Sequence, residues 1–270
     1  MKKVSIITVC YNSSRTIRRT IESVLHQTYA DLEYIVIDGL SSDNTVEMIK
    51  EYEPLFDGRM HWISERDDGI YDAMNKGIRM ARGELIGIIN SDDYYEPKAV
   101  EYMVNSMTED RYQILYGMMR TWKDGEEESI GISSHKFLRD RMINHPSCFV
   151  TKAVYEDFGY YDTRYRSVAD YDFMLQMSEQ KEVVFKPVYE IISNFTLGGM
   201  CSTDQAYLEL VTLQRERGII SDREYKKIMQ EEKTEFELSG LDADELGFRR
   251  ADERRAAMEV AGLNPDEYDF

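Results

Sequence analysis

Residues 84–96 read ELIGIINSDDYYE, an apolar run that ends at two adjacent carboxylates, Asp92 and Asp93. Leucine and isoleucine on both sides of Gly87 are typical of a strand that is buried on both faces. Open α/β sheets bind ligands at the carboxyl ends of their strands. Because successive side chains of an extended chain point in opposite directions, one carboxylate can bind a hard cation while the other contacts a different part of the ligand. The alternative interpretation is a polar turn whose aspartate caps a helix that begins at Pro97.

Composition narrows the class of protein. The chain has 270 residues, and a hydrophobic fraction of 42% is sufficient for one large globular α/β domain. It carries 33 basic and 51 acidic side chains, a net charge of -18, which argues against a nucleic-acid partner. The same charge repels an anionic ligand unless a metal ion or local cations intervene.

The cysteines indicate the redox compartment. Cys10, Cys148 and Cys201 lie far apart with no paired spacing. This pattern disfavours both a disulfide framework and a cysteine-based zinc site. A reducing, cytoplasmic compartment is therefore expected.

Membrane association is expected to be peripheral at most, at the inner face of the membrane. No apolar stretch approaches the roughly 20 residues of a membrane-spanning helix. The apolar run at residues 4–9 is too short for a signal peptide, and we interpret it as the first strand. A basic group near the first helix, Arg15, Arg18 and Arg19, is the candidate for such contact, and a solvated helix face is the alternative.

Hydrophobic periodicity predicts a βαβα order in the first part of the chain. Strands are predicted at residues 4–9, 33–38, 60–64 and 85–90, with helices between them, the third at 71–81 and ending at Gly83. This order predicts an α/β fold with a Rossmann-like, mostly parallel central sheet flanked by helices.

Mixed topology is predicted after Asp93. A helix is expected at residues 98–106, and Asp124-Gly125 is a strong hairpin signal. Shorter strands are expected at residues 147–150, 183–185 and 190–195, with helical segments between them through about Met177.

The last part of the chain, residues 201–270, is predicted to be an acidic helical extension. Its spacing is helical and its composition is highly charged. A solvated appendage is one interpretation, and a contact with a partner or within an oligomer is the other. The apolar residues that would form such a docking face are Leu238, Leu241, Leu246 and Phe248.

The first βα turn excludes two common modes of nucleotide binding. Residues 8–14 contain no glycine, so neither a dinucleotide fingerprint nor a P-loop is available. At the end of the second strand, Asp38 can accept a hydrogen bond from the ring N–H of a base. Alternatively, Asp38 shapes the turn and Asp43 caps the next helix.

Taken together, several segments resemble the family 2 glycosyltransferases, which have the GT-A fold. The resemblance covers about residues 3–200. The segments occur in the same order as in the family, which argues against coincidence. The matching segments are residues 8–12, 38–45, 69–77 (GIYDAMNKG), 91–93, 145–147 (HPS) and 169–173 (ADYDF).

The resemblance implies transfer of a sugar from a nucleotide diphosphate donor, usually with inversion at the anomeric carbon and with Mg²⁺ or Mn²⁺. Asp38 would then hold the base, with Thr8 and Tyr11 lining the base pocket. Asp92 would contact the ribose or the sugar, and Asp93 the metal that bridges the diphosphate. A UDP-sugar is the leading donor candidate, and the acceptor is expected to be a glycan or lipid-linked molecule.

Further donor contacts are expected around the third helix. Asp68 and Asn75 can hydrogen-bond sugar hydroxyls, and Lys76 with Arg66 can contact the phosphates. Each has a structural alternative: Asp68 as a turn former, Asn75 as a polar helix residue, and the two cations as exposed charge.

An inverting transfer also needs a general base that takes the proton of the acceptor hydroxyl. The family commonly has a Glu-Asp pair where this chain has Ala169 and Asp170. That departure leaves Asp170 and Asp172 as rivals, and motif position favours Asp170. Two residues apart they cannot share one helix face, so the second is expected to cap the helix or face solvent. His145 is expected near the acceptor or the diphosphate, unless it is a structural histidine.

The resemblance implies a glycosyltransferase domain over residues 1–200, with a nucleotide-binding half at 1–110 and an acceptor-side half at 111–200. By family analogy, it implies a role in cell-envelope polysaccharide synthesis. A nucleotidyltransferase is an alternative, but it would need a glycine-rich first loop. A non-catalytic glycan-binding subunit is a second alternative, which Ala169 favours and the retention of Asp170 with Asp93 opposes.

Overall fold

The computed structural model describes residues 2–197 and 204–239. Helices and strands alternate through most of this range, as the periodicity predicts. In chain order they are β1 Val4–Cys10, α1 Ile17–Leu25, β2 Leu32–Asp38, α2 Thr45–Tyr52, β3 Met60–Ser64, α3 Ile70–Met80, β4 Leu85–Ile88, β5 Tyr94–Tyr95, α4 Ala99–Ser106, β6 Gln113–Lys123, β7 Glu126–Gly131, β8 Cys148–Thr151, α5 Lys152–Phe158, α6 Ala169–Ser178, β9 Val184–Thr196, α7 Asp204–Glu216 and α8 Asp222–Ser239.

One mixed, mostly parallel sheet forms the centre of the fold and confirms the predicted class. In the described residues its strand order is β3-β2-β1-β4-β8-β6-β9-β5, with β7 paired to β6. Strands β3, β2, β1 and β4 run parallel. Strand β8 is antiparallel to both β4 and β6, and β6 is parallel to β9. The carboxyl ends of β1 to β4 therefore meet at one edge.

Three of the four parallel strands, β1, β2 and β4, are buried along their whole length. Every residue of β1 and of β2 is buried, which explains why their sequences are largely apolar. Strand β3 has the predicted bounds, whereas β4 ends at Ile88, two residues earlier than predicted. The Ile89 N–H still donates to Ile7 O at 2.9 Å, and a turn closes where the Asp93 N–H donates to Asn90 O at 3.2 Å. The two carboxylates therefore lie in a turn that directly follows the strand.

The antiparallel side of the sheet departs from the prediction at two strands. The segments predicted as separate strands at 183–185 and 190–195 form one strand, β9. Its register with β6 shifts around Met118, so a bulge interrupts the pairing while the strand continues. Strand β5 was not predicted. It has two residues, too few for a periodic signal, and it forms because the preceding turn brings it beside β9.

Helix α3 spans Ile70–Met80, close to the prediction, but Gly83 does not terminate it. The helix ends as Ala81 adopts an extended conformation. Gly83 instead packs against β1, where an added Cβ would lie 2.5 Å from the backbone nitrogen of Ser5. Gly83 therefore allows the chain to enter β4 close to β1.

A second glycine brings α3 close to the sheet, and its substitution should destabilise the protein. A Cβ at Gly77 would lie 2.5 Å from Cγ2 of Ile7, a fully buried residue of β1. At a solvent-exposed position of a helix, Gly→Ala stabilises the folded protein by about 1 kcal/mol. Overpacking a core, in contrast, destabilises it by about 1–3 kcal/mol. The difference is a net loss of up to about 2 kcal/mol, so we expect Gly77→Ala to lower the free energy of unfolding by about 1 kcal/mol, measured by urea denaturation.

The matched control for this substitution is Gly131→Ala. Nothing lies within 4 Å of a Cβ at Gly131, so we expect a change below about 0.5 kcal/mol. A Gly77→Ala variant more stable than wild type would show that α3 does not depend on this close approach.

The predicted hairpin is present between β6 and β7. Asp124 and Gly125 have φ angles of 51° and 85°, as a two-residue turn of the type I′ class requires. Aspartate tolerates the left-handed region better than most residues, and glycine occupies it without steric cost.

The described chain divides into two compact units. One contains the chain through Arg164 together with residues 169–197, and the other contains Tyr165–Val168 with α7 and α8. Within the second unit, the carboxylate of Glu209 accepts hydrogen bonds from the backbone N–H groups of Arg166 and Ser167. The predicted boundary near residue 200 remains a prediction.

The C-terminal region is helical as far as it is described. The side chain of Leu238, and Leu241, Leu246 and Phe248 entirely, lie outside the described residues, as does Cys201. Across residues 2–197 and 204–239, no helix combines the length and apolar composition needed to cross a bilayer.

Candidate active site

The turn after β4, residues 90–93, holds a carboxylate in an unusual environment. Asp93 is fully buried, and its Oδ1 accepts a hydrogen bond from the Thr196 N–H at 3.1 Å. Asp93 Oδ2 is also buried and, among the described residues, has no hydrogen-bond partner; the same holds for Asn90 Oδ1. Burial, and next the neighbouring charge of Asp92, raise the pKa of Asp93 well above its usual range. An oxygen-seeking cation would satisfy both unpaired oxygens.

Asp92 is the more accessible member of the pair. It is partly exposed, and burial of its carboxyl raises its pKa. Its backbone carbonyl accepts from Nη2 of Arg19 at 2.8 Å and from Oγ1 of Thr196 at 3.3 Å. The next carbonyl, that of Asp93, accepts from Oγ1 of Thr20 at 2.6 Å. Helix α1 and the end of β9 therefore hold the turn from two sides.

Arg19 is a site residue that local sequence pattern did not predict. Its guanidinium carbon, Cζ, lies 4.3 Å from the centroid of the Tyr94 ring. Its positive charge opposes the upward shift of the pKa values of Asp92 and Asp93. The sequence signal was the basic group on the first helix. Arg18, another member of this group, donates to the carboxylate of Glu51. Two of the three arginines in the basic group therefore have partners within the protein.

Asp38 lies at the end of β2, fully buried, with both carboxylate oxygens engaged. Its Oδ2 accepts from the Ser41 N–H at 3.0 Å and from Ser64 Oγ at 2.6 Å. Its Oδ1 accepts from the hydroxyl of Ser41 and the thiol of Cys10. In this structure Asp38 shapes the turn after β2. To bind the base of a nucleotide, its carboxylate would have to give up one of these hydrogen bonds.

Asp43 links the first loop to α2. Its carboxylate accepts from the Ser14 N–H at 3.1 Å and from the N–H and hydroxyl of Thr45. These bonds, the hydroxyl of Thr45 first, hold the pKa of Asp43 below its usual range. Asp43 was predicted to cap this helix, but it precedes the N-cap residue Asn44, whose side chain makes no capping hydrogen bond, and it holds the start of α2 through Thr45 instead.

Thr8 requires a correction, whereas Tyr11 is placed as expected for a binding loop. The Thr8 side chain is fully buried, and its Oγ1 accepts a hydrogen bond from the Tyr34 hydroxyl at 3.0 Å. With no exposed surface, its side chain is not placed to line a base pocket. Tyr11 is 64% exposed, and its ring can stack on a flat ligand group.

Asp67, rather than Asp68, faces the Tyr11 loop. A Cβ built on Gly39 would lie 2.6 Å from Oδ2 of Asp67 and 3.5 Å from Cδ2 of Tyr11. Asp68 is exposed, and its N–H donates to Asp72 at the start of α3. The sequence shows two adjacent aspartates, but only the path of the chain after β3 decides which one points inward.

Lys76 is engaged in ion pairs on the surface of α3. Its ammonium lies 3.0 Å from Glu65 and 3.3 Å from Asp72, and it donates to the carbonyl of Arg66 at 2.9 Å. Exposed ion pairs are worth about 0–1 kcal/mol each, so a phosphate could displace them. The assignment of Lys76 and Arg66 to the donor phosphates stays a prediction.

Asn75 is also placed differently from the expectation. It is 2% exposed, its Nδ2 donates to the Tyr161 carbonyl at 2.8 Å, and its Oδ1 accepts from the Tyr161 N–H at 3.1 Å. With both polar groups bonded to one peptide segment, it connects α3 to the chain before α6. It does not face an open donor site.

The two candidate bases have different surroundings at the start of α6. Asp170 is partly exposed, and its Oδ1 accepts a hydrogen bond from the Tyr71 hydroxyl at 2.7 Å. Asp172 is only 2% exposed and accepts from Nε2 of Gln176 at 2.6 Å. The second aspartate is therefore buried, contrary to the expectation that it caps the helix or faces solvent.

His145 lies close to Asp170. Its Nε2 is 3.0 Å from the hydroxyl of Tyr161, which is 3.2 Å from the hydroxyl of Tyr155. Burial lowers the pKa of His145, and the charge of Asp170 partly opposes that shift. The imidazole therefore has a structural hydrogen-bond partner in Tyr161 and a lowered pKa beside the candidate base.

This arrangement agrees with the comparison with known families. The sequence profile of Glycosyl transferase family 2 matches residues 5–169, which include β1 to β4, the carboxylate turn and α3. The chain belongs to this family. It is a glycosyltransferase that uses a nucleotide-sugar donor, which sets aside the nucleotidyltransferase and the non-catalytic subunit.

Curated relatives are glycosyltransferases of biosynthetic pathways. A PGL/p-HBAD biosynthesis glycosyltransferase of Mycobacterium bovis is 25% identical over 220 residues, covering 80% of this glycosyltransferase and 86% of the relative. The chondroitin synthase of Escherichia coli is 33% identical over 202 residues, which cover 73% of this chain and 29% of that longer protein.

Solved structures share the fold. S. aureus TarS in complex with UDP-GlcNAc aligns with a TM-score of 0.63 at 17% identity, covering 88% of this chain and 73% of TarS. The mannosyltransferase PcManGT from Pyrobaculum calidifontis, in complex with GDP-Man and Mn²⁺, aligns with a TM-score of 0.59 at 16% identity, covering 98% and 77% of the two chains. At such identities the likeness establishes the GT-A type of fold alone.

Proposed function

We propose that this enzyme transfers a sugar from a nucleoside diphosphate sugar, a UDP-sugar being the first candidate, to a glycan or lipid-linked acceptor of the cell envelope. The reaction is metal-assisted and inverts the anomeric carbon. The observation that carries the proposal is the turn after β4, where a buried carboxylate oxygen of Asp93 has no hydrogen-bond partner in the described chain.

The residues of this turn fit a hard divalent cation. Carboxylate and amide oxygens are the ligands that Mg²⁺ and Mn²⁺ accept, and Asp93 with Asn90 would supply them. No group of three or more His, Cys, Asp or Glu in the described residues is placed to hold a metal. The diphosphate of the donor and water would supply further ligands. When bound, the ion supplies Lewis-acid stabilisation of the departing diphosphate.

The protein's own residues would position the donor and the acceptor. Arg19 places a cation beside the carboxylate turn, which offsets local negative charge. Tyr11 offers an exposed ring to the base, and Asp38 or Asp67 offers a carboxylate to its N–H groups. Asp170 is the proposed general base, because the start of α6 exposes it and buries its rival Asp172.

A donor screen by thermal shift tests the proposal. We expect one nucleotide sugar to raise the melting temperature with Mn²⁺ or Mg²⁺ present and not in excess chelator. A ligand at 100 times its Kd stabilises the folded state by about 2.7 kcal/mol, which such a scan resolves. UDP- and GDP-sugars should both be included, since TarS and PcManGT are each seen with a different base. Equal protection with and without chelator would contradict the metal-assisted mechanism.

A further inference from the structure

We propose that Tyr71 is a positioning residue for the general base of this reaction, holding the Asp170 carboxylate in one orientation. The inference rests on the proposed function, specifically on Asp170 as the base. It starts from a hydrogen bond of 2.7 Å between the Tyr71 hydroxyl and Asp170 Oδ1, which joins residues 99 positions apart.

The Tyr71 hydroxyl is held in place because its ring is confined. Tyr71 lies in the first turn of α3 and is 6% exposed. Its ring packs against Tyr161 with centroids 5.6 Å apart, and Tyr161 packs against Phe173 of α6 at 5.3 Å. Through Tyr161, the ring of Tyr71 is therefore packed against the helix that carries Asp170.

A second residue of α3 maintains this geometry. Asn75 lies four positions after Tyr71, on the same face of the helix. Its amide makes two hydrogen bonds to the backbone of Tyr161, at 2.8 and 3.1 Å. The helix is therefore connected to the chain before α6 and to α6 itself, which restricts relative movement of Tyr71 and Asp170.

The consequence for Asp170 is that its two oxygens differ. Oδ1 accepts from Tyr71, which leaves Oδ2 as the oxygen that receives the proton of an acceptor hydroxyl. The preceding residue, Ala169, is buried and has no carboxylate that could help to orient the base. A misplacement of about 1 Å in a catalytic group can cost about 10²-fold in rate, so one orienting hydrogen bond matters here.

Tyr71→Phe removes the hydroxyl and keeps the ring. We expect kcat to fall about 10-fold, with KM for the donor and the donor-dependent thermal shift unchanged, because the donor site is not altered. The matched control is Tyr155→Phe, which removes a buried hydroxyl bonded to Tyr161 and not to Asp170. We expect its kcat to stay within about 2-fold of wild type.

A double-mutant cycle separates positioning from general stabilisation. In an Asp170→Asn background, Tyr71→Phe should cause no further loss, since its effect passes through the base. An additional 10-fold loss there, or a kcat for Tyr71→Phe alone that equals wild type, would overturn the inference while leaving the proposed function intact. Normal transfer by Asp170→Asn itself would overturn both the inference and the assignment of the base. A retained donor-dependent thermal shift verifies that each variant is folded.

Discussion

Asp93→Asn should lower metal-dependent sugar transfer by at least about 10³-fold. A unit charge about 4 Å from a cation contributes roughly 4 kcal/mol at an effective dielectric of about 20, which corresponds to about three orders of magnitude in rate. Asparagine keeps the volume of the side chain, so the buried turn should still fold. Release of nucleoside diphosphate measured against Mn²⁺ concentration, together with calorimetric titration of the ion and donor, gives the rate and the affinity.

The matched control is Asp124→Asn. It removes one negative charge at the hairpin, in a left-handed position that asparagine tolerates, and it should transfer at the wild-type rate. If Asp93→Asn still responds to Mn²⁺ while Asp92→Asn does not, the more exposed Asp92 is the metal ligand. Full activity of the wild-type enzyme in excess chelator would exclude the metal altogether.

Asp170→Asn is expected to lower kcat by at least about 10²-fold while leaving donor binding close to that of wild type. A general base typically contributes about 10²–10⁴-fold, and the side chain lies in α6, away from the carboxylate turn in sequence. Single-turnover transfer with saturating donor measures the chemical step, and the thermal shift with donor and Mn²⁺ measures binding.

Asp172→Asn distinguishes the two candidates. Asp172 is buried and bonded to Gln176 one turn later, so its substitution should reduce stability more than rate. The reverse pattern, with normal transfer by Asp170→Asn and a large loss in Asp172→Asn, would reassign the base to Asp172.

Much of the fold follows from local pattern. Strands β1 and β2 were predicted to within one residue at each end, because a strand buried on both faces is a largely apolar run between polar turns. Strand β3 was predicted with its observed bounds, although only Met60 in it is fully buried. The hairpin at Asp124-Gly125 and the carboxylate pair after β4 were also predicted from the sequence, because turns and strand ends depend on local residue types. The family follows from the order of short motifs and is confirmed by the match over residues 5–169.

The direction in which individual side chains of the site point was predicted less well than the elements that carry them. Thr8 and Asn75 belong to matching motifs, yet one faces the core and the other is bonded to Tyr161. Of two adjacent aspartates, Asp67 faces the Tyr11 loop and Asp68 faces outward. A motif specifies that a residue type occurs at a position, while the twist of the chain into the next element decides where the side chain points.

By itself, the sequence determined the order of elements, the class of fold, the family and the position of the carboxylates at a strand end. Only the tertiary structure decided that Arg19 braces the carboxylate turn, that β9 is one strand with a partner in β5, and that Tyr71 meets Asp170. The physical reason is the range of the interactions. Periodicity and turn chemistry act between near neighbours, whereas these contacts join residues that only the closing of the sheet and the packing of α3 on it bring together.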